Sequence, residues 1–144
     1  GEQALESFAV DLSAASGPVV LEFSYVAFNV GDVYLPGEQG VSVCTWETAP
    51  QEVVVQLCAS GCVEDAAWSD ARFADGSRAS FPPASQRGNG LPFGSQSAVD
   101  WRSGRSTVPI PSELLGGEVY FRFLPRLSEN ASVGVDEIIV RRAR

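Results

Sequence analysis

Cysteine is the most reactive side chain in this sequence, and the spacing of its three copies limits the chemistry open to it. Cys58 and Cys62 enclose the segment Ala-Ser-Gly, whose glycine allows a small loop to close. A structural zinc site needs four such ligands, so three cysteines do not supply one. We therefore predict a Cys58–Cys62 disulfide, as oxidising compartments permit. Cys44 is then expected to be a small buried hydrophobic residue, with pairing to Cys58 or Cys62 as the alternative.

Histidine is absent from all 144 residues, and its absence removes whole classes of catalytic site. Ser-His-Asp and Cys-His nucleophiles, histidine acid–base catalysis and histidine-containing zinc sites all need an imidazole. Paired carboxylates remain as a route to catalysis, but a domain of this length leaves little room for a catalytic cleft. We therefore predict that the chain is not an enzyme.

The charged side chains are 18 acidic residues and 10 arginines, which gives a net charge of −8. Proteins that bind nucleic acids normally present a basic face to the phosphates, so we expect no nucleic-acid partner. Five arginines nevertheless form a locally basic stretch in the middle of the chain: Arg72, Arg78, Arg87, Arg102 and Arg105. This stretch could bind carboxylates or an acidic protein surface, with Arg87 as the main candidate. The alternative is a solvated loop face.

Several aromatic side chains are candidates for stacking on a sugar ring, because an aromatic face offers both apolar area and polarised contacts. They are Trp46, Trp68, Trp101, Tyr34 and Phe93. Trp68 and Phe93 are the most interesting, since they lie in a segment without clear periodicity, and Trp101 is retained with them as a ligand candidate. The alternative is that most of these rings complete the core or cover the bases of loops.

Apolar residues alternate with polar ones along most of the chain, which is the pattern of half-buried β-strands. The segments that show it are 8–12, 19–28, 41–46, 52–57, 97–102, 105–110, 118–124 and 133–140. We expect a hairpin between 41–46 and 52–57, a turn at Ser103-Gly104, and an edge position for the strand that ends near Pro109 and Pro111.

No segment has a helical period, and no apolar run approaches the ~20 residues that a membrane-spanning helix needs. The prediction is one all-β domain over residues 1–144, an antiparallel β-sandwich of jelly-roll type. Residues 63–96 are rich in Ser, Gly, Pro and Ala and are expected to form a long irregular region with one or two short strands. We expect the chain to be part of a longer protein, with no transmembrane segment of its own.

Three sequence phrases, in order, resemble those of a known group of jelly rolls. They are FAVDLS at 8–13 followed by VVLEFSY at 19–25, GVSV at 40–43 with Trp46, and GEVYFRF at 117–123 followed by VGVDEIIV at 133–140. This order resembles the MAM-type, reelin-repeat and bacterial cleaved-adhesin (choice-of-anchor) domains. The resemblance fails across 63–96, and the last phrase lacks the usual aromatic residue and carries Asp-Glu instead of two aspartates.

The resemblance implies a secreted or cell-surface module for adhesion, recognition or assembly, with another surface or matrix protein as its partner. A carbohydrate-binding module with a glycan ligand is the alternative, and a structural spacer is a further one. A polar loop patch with arginine would favour the protein partner, whereas a row of exposed coplanar aromatic rings would favour the glycan.

Asp136 is the candidate metal ligand in this interpretation. It lies in an apolar terminal strand, where burying an unpaired carboxylate would be costly. The resembled jelly rolls often hold a structural Ca²⁺ beside this position, and Ca²⁺ requires several oxygen ligands. The first and last strands lie close together in such folds, so Asp11 or Glu22 would supply a second carboxylate. The alternative is that Asp136 pairs with an arginine or caps a backbone turn.

Overall fold

A computed structural model describes residues 4–7, 9–30, 52–81, 99–126 and 131–143. These ranges contain nine β-strands: β1 Leu5–Glu6, β2 Val10–Asp11, β3 Val19–Val30, β4 Glu52–Cys58, β5 Ser69–Asp70, β6 Ser80–Phe81, β7 Val99–Ile110, β8 Glu118–Arg126 and β9 Ala131–Arg142. Short 3-10 turns lie at Asp65–Ala67 and Ser112–Leu114.

The strands form two antiparallel sheets. In one, β8 pairs with β1 and β2 at one edge and with β4 at the other, and β4 also pairs with β5 and β6. The other sheet has the order β7-β3-β9. Their apolar faces enclose one cluster of buried side chains. The predicted fold class, an all-β antiparallel sandwich, is confirmed.

An aromatic cluster joins the two sheets at the centre of the core. Phe23 of β3 is fully buried, and its ring centroid lies 5.0 Å from that of Phe123 on β8 and 5.1 Å from that of Phe81 on β6. Tilted and edge-on pairs at these distances contribute about 0.5–1.5 kcal/mol each beyond the burial of their area. Along β8 the alternation predicted from the sequence places Phe121 and Phe123 in this core.

The turn predicted at Ser103-Gly104 is wrong. β7 continues through these residues and pairs with β3 along its whole length, with Gly104 directly opposite Tyr25. A Cβ atom at Gly104 would lie 2.7 Å from the Tyr25 hydroxyl oxygen, so glycine is needed because the buried ring passes over the strand. The edge position is confirmed, since among the described strands β7 pairs with β3 alone.

A β-hairpin interrupts the edge strand beside β4. Ser69 and Asp70 pair with the end of β4, and Ser80 and Phe81 pair with its start. Between them Val55 alone meets both sides, because its carbonyl accepts from the Ala71 N–H and its N–H donates to the Ala79 carbonyl.

Residues 72–78 leave the sheet, and we call them the edge hairpin. Part of the region predicted to be irregular is therefore ordered around two short strands, as expected. Residues 82–96 and the predicted strand at 41–46 lie outside the described residues.

Candidate functional site

The predicted disulfide between Cys58 and Cys62 is confirmed, with their Cα atoms 5.8 Å apart. Cys58 is the last residue of β4 and is buried, so the bond fixes the start of the following loop to the sheet. The two cysteines are only four residues apart, so their spacing in the sequence was sufficient to predict the bond.

The Trp68 side chain packs against the loop that the disulfide closes. Its indole N–H donates to the carbonyl of Cys62 at 2.9 Å, and the guanidinium carbon of Arg122 lies 4.4 Å from the centre of its ring. Only 8% of Trp68 is exposed. The ring therefore packs in a cation–π contact with Arg122 and offers no open platform for a sugar.

Arg122 connects the loop to both central strands. Its Nε donates to the Gln56 side-chain oxygen at 2.7 Å, and its Nη1 donates to Asp65 at 3.1 Å. The Gln56 amide nitrogen in turn donates to Asp70 at 2.7 Å. A buried guanidinium is stable only when such partners replace water. We call the disulfide, Trp68 and Arg122 together the clasp, because they fix residues 59–70 to the outer face of the sheet.

The edge hairpin that follows is held by its own hydrogen bonds. The backbone N–H groups of Phe73 and Gly76 donate to Ser77 and Phe73 carbonyls at 2.8 and 2.9 Å. Asp75 accepts from the Ser77 hydroxyl at 2.6 Å and from its N–H at 2.9 Å, and these bonds lower the pKa of Asp75. Arg72 Nη1 donates to the Gly76 carbonyl at 3.0 Å. These hydrogen bonds fix the shape of the exposed tip of the hairpin.

A cleft of about 740 Å³ lies beside the edge hairpin, between the two sheets. One wall contains residues 57–60, 67 and 69–74, and the other contains residues 109, 111, 113 and 114. Most of the lining is small or apolar, including Phe73 and Leu114, and its charged residues are Asp70, Arg72 and Glu113. The Asp70 carboxylate itself accepts from the Gln56 side chain on the outer face of the sheet. A volume of this size is within the range of sites that bind small molecules or short peptide segments.

Asp136 is exposed, so the premise that it is a buried carboxylate is wrong. It shares a face of the sheet with Ser24, next to a β-bulge in which β9 has one extra residue between Asp136 and Ile139. Glu137 occupies the bulge with a φ of 51°. The Asp136 carboxylate accepts from the N–H of Glu137 at 2.7 Å, which is the capping role considered as the alternative.

Glu22 is bound by two arginines on the same face. Arg105 donates to one carboxylate oxygen through Nη2 at 2.6 Å and Nε at 2.8 Å, and Arg141 binds the other oxygen. Arg105 also reaches Glu137 at 3.0 Å and Ser24 at 2.8 Å. Hydrogen bonds from Arg105 and then from Arg141 lower the pKa of Glu22.

The three predicted calcium ligands are not brought together. Asp11 belongs to the sheet that contains β8, whereas Glu22 and Asp136 belong to the other sheet. The Asp11 carboxylate accepts from the Ser13 N–H at 2.9 Å, and hydrogen bonds from Ser13 lower its pKa. Over the part of the chain that the structure describes, no group of three or more acidic or cysteine side chains could hold a metal ion. Calcium stays a prediction from the resemblance.

The charge network around Glu22 predicts a specific response to acid. A carboxylate whose pKa is lowered in the folded state stabilises the fold above its ordinary pKa of 4.5, and this stabilisation is lost as the pH falls through the lowered value. We expect Glu22→Gln to destabilise the domain at neutral pH and to make its melting temperature less dependent on pH below about 4.5. Thermal melts between neutral and acidic pH measure this. Glu64→Gln, a change of an exposed carboxylate outside the network, is the control, and an equal flattening there would contradict the assignment to Glu22.

The structure does not place the remaining predicted ligand-binding residues at this site. Phe93 and Arg87 lie outside the described residues, as do Cys44, Tyr34 and Trp46, and Trp101 is placed only by its register opposite Phe28. Phe73, Asp70, Glu113 and Arg122 were not predicted as site residues. No local pattern marks them, since Arg122 reaches Gln56 through the pairing of β4 with β8, and the other three line a cleft between segments that are distant in sequence.

Comparison with known proteins provides no relative. Neither a family model, nor a curated protein sequence, nor a solved structure matches this chain. The resemblance to MAM-type, reelin-repeat and cleaved-adhesin domains therefore stays a prediction, and function has to be argued from geometry. Among the described residues, no helical segment has the length and hydrophobicity required to cross a lipid bilayer.

Proposed function

We propose that this chain is a non-catalytic recognition domain of a secreted or cell-surface protein, and that it binds a partner protein through the edge hairpin and the adjacent cleft. The observation that carries the proposal is the clasp, which fixes the non-core segment 59–70 beside a hairpin with an ordered tip. Binding residues are commonly found on loops that a rigid scaffold positions, because pre-organised loops lose less entropy on binding.

The disulfide supports the compartment part of this proposal. Disulfides persist in secreted and extracellular proteins and are rare in reducing compartments. The net charge of −8 favours a protein or small-ligand partner over nucleic acid. Secretion and surface display are therefore the natural setting for a sandwich whose loop is closed by Cys58 and Cys62.

A glycan ligand is the second candidate, and Phe73 is the observation that favours it. This ring is half-buried and lines the cleft, whose opposite wall includes Glu113. Sugar sites combine such a ring with polar groups. Trp68, which the sequence predicted for this role together with Phe93, is covered by Arg122.

Selection from a random peptide library on the immobilised domain, alongside a glycan array, separates these functions. We expect peptides with dissociation constants on the order of micromolar. Ala74 lines the cleft and Ala66 does not, and both are exposed. Ala74→Gln should therefore weaken the selected peptides at least about tenfold, a change of about 1.4 kcal/mol, whereas Ala66→Gln should leave them unchanged.

Three outcomes would overturn the proposal. Peptides that are insensitive to Ala74→Gln would move the binding surface elsewhere. Glycan binding that is lost in Phe73→Ala, with no peptide enriched, would establish the carbohydrate function. No ligand of either kind would leave a structural spacer.

A further inference from the structure

The tip of the edge hairpin contains the one aspartate-glycine pair of the sequence, Asp75-Gly76. All residues from 74 to 77 are exposed. An aspartate followed by glycine is prone to a spontaneous rearrangement of the backbone, because no side chain hinders the approach of the glycine nitrogen to the aspartate carboxyl group. The surface of the domain therefore carries a chemically reactive pair at this point.

The rearrangement starts when the Gly76 backbone nitrogen attacks the Cγ atom of Asp75. A bond forms between these two atoms, and the carboxyl hydroxyl leaves with the amide proton as water, which gives a five-membered succinimide ring. Water then adds to one of the two ring carbonyl carbons and breaks its bond to the nitrogen. Opening at Cγ restores aspartate, whereas opening at the backbone carbonyl carbon gives isoaspartate. The water released in the first step is regained in the second, so the isomerisation needs no other reactant.

The fold engages the attacking nitrogen in a hydrogen bond. The Gly76 N–H donates to the Phe73 carbonyl at 2.9 Å, and the Phe73 N–H donates to the Ser77 carbonyl at 2.8 Å. These two bonds close a tight turn in which Gly76 has a φ of 87°, a value that glycine adopts readily. The nitrogen must give up its bond to Phe73 before it can attack Asp75.

Ser77 holds the other reacting group. The Asp75 Oδ1 atom accepts from the Ser77 hydroxyl at 2.6 Å and from the Ser77 N–H at 2.9 Å. The hydroxyl and then the N–H favour the charged carboxylate and lower the pKa of Asp75. The charged form closes the ring slowly because it offers no hydroxyl leaving group. Ser77 therefore reduces both the freedom and the reactivity of this carboxyl group.

We infer that Asp75 is a modification site of this domain, at which isoaspartate forms when the edge hairpin opens, and that Ser77 protects it while the hairpin is closed. Isoaspartate adds one methylene group to the backbone before Gly76, so the modified tip cannot close the same turn. Arg72 then loses the Gly76 carbonyl that it now contacts at 3.0 Å. This inference concerns the chemistry of the hairpin itself and holds whether or not the hairpin binds a partner.

The test compares the folded domain with the same chain unfolded in guanidinium chloride, both stored at neutral pH and at the same temperature. Peptide mapping by mass spectrometry, with fragmentation that distinguishes isoaspartate from aspartate, follows residue 75. We expect isoaspartate to accumulate at least about tenfold more slowly in the folded domain, because the reaction requires local opening of the turn. Equal rates in the two samples, or no isoaspartate in the unfolded chain, would overturn the inference.

Three variants of the folded domain test the role of the Ser77 hydroxyl. Ser77→Ala removes this donor and should accelerate isomerisation by about twofold to tenfold, the range expected for the loss of one hydrogen bond. Ser77→Thr keeps a hydroxyl and should retain the native rate. Ser112→Ala removes an exposed hydroxyl outside the hairpin and is the control. A rate in Ser77→Ala no higher than in Ser112→Ala, or an equal acceleration in Ser77→Thr, would contradict the protective role.

The isomerised domain itself provides a further measurement. After its separation from the native form by chromatography, hydrogen exchange should be faster in residues 72–78 and unchanged in β3. Native exchange rates in residues 72–78 would mean that isoaspartate closes the same turn, which would contradict the structural consequence inferred for the modification.

Discussion

Replacement of Phe23 by alanine is expected to reduce the free energy of unfolding by about 3–5 kcal/mol, a large part of the 5–15 kcal/mol that is typical of natural domains. Phe23 has 0% of its surface exposed and its ring contacts Phe81 and Phe123 of the opposite sheet. The substitution removes these contacts and leaves a cavity that the rigid strands around it cannot fill. Urea unfolding followed by far-UV circular dichroism measures the shift in the transition midpoint.

Two further variants make this result specific to the core. Phe23→Leu keeps most of the apolar volume and should cost less than about 1.5 kcal/mol. Val63→Ala changes a side chain that is 96% exposed and should alter stability by less than about 0.5 kcal/mol. A cost for Phe23→Ala no greater than that of Val63→Ala would mean that the two sheets do not share this aromatic cluster.

Replacement of Trp68 by alanine is expected to have the second large effect, about 3 kcal/mol of stability together with local loosening of residues 59–70. Loss of the ring removes the cation–π contact of Arg122 and the hydrogen bond to Cys62, and it exposes a guanidinium that is now buried. Hydrogen exchange should accelerate in the segment that the clasp holds, while β3 keeps its protection relative to the new global stability. Ligands selected on the native domain should lose affinity.

Trp68→Phe is the matched control for this variant. It keeps an aromatic ring over Arg122 and removes the indole N–H that donates to Cys62, so a cost of about 1 kcal/mol is expected. If hydrogen exchange in residues 59–70 kept its native rate in Trp68→Ala, the disulfide alone would order this segment, and Trp68 and Arg122 would not hold it.

Strand alternation accounts for the parts of the fold that could be predicted. β3 and β8 each present one apolar side to the core, and a period of two in the sequence records that arrangement directly. The error at Gly104 has a simple cause. A glycine in the sequence indicates either a turn or a place where another part of the molecule packs closely on the backbone. The position of the Tyr25 ring, which the sequence does not show, decides for the second at Gly104.

The candidate site was much less predictable than the strands. The Cys58–Cys62 bond is local in sequence, so spacing was sufficient. Phe73 and Glu113 line the same cleft only because segments that are distant in sequence end there, and no local pattern carries that information. Asp136 was misplaced because the bulge beside it is occupied by Glu137, a residue that gives no sign of a positive φ.

The edge hairpin also affects how this protein behaves at high concentration. A neighbouring molecule that adds a strand to an exposed sheet edge needs an uninterrupted row of backbone donors and acceptors. Beside β4 that row is divided into two-residue strands, Ser69–Asp70 and Ser80–Phe81, by a projection that carries Arg72 and Asp75. At this edge of the described sheet, a second copy of the protein therefore finds no continuous row of backbone hydrogen-bonding groups on which a fibril could grow.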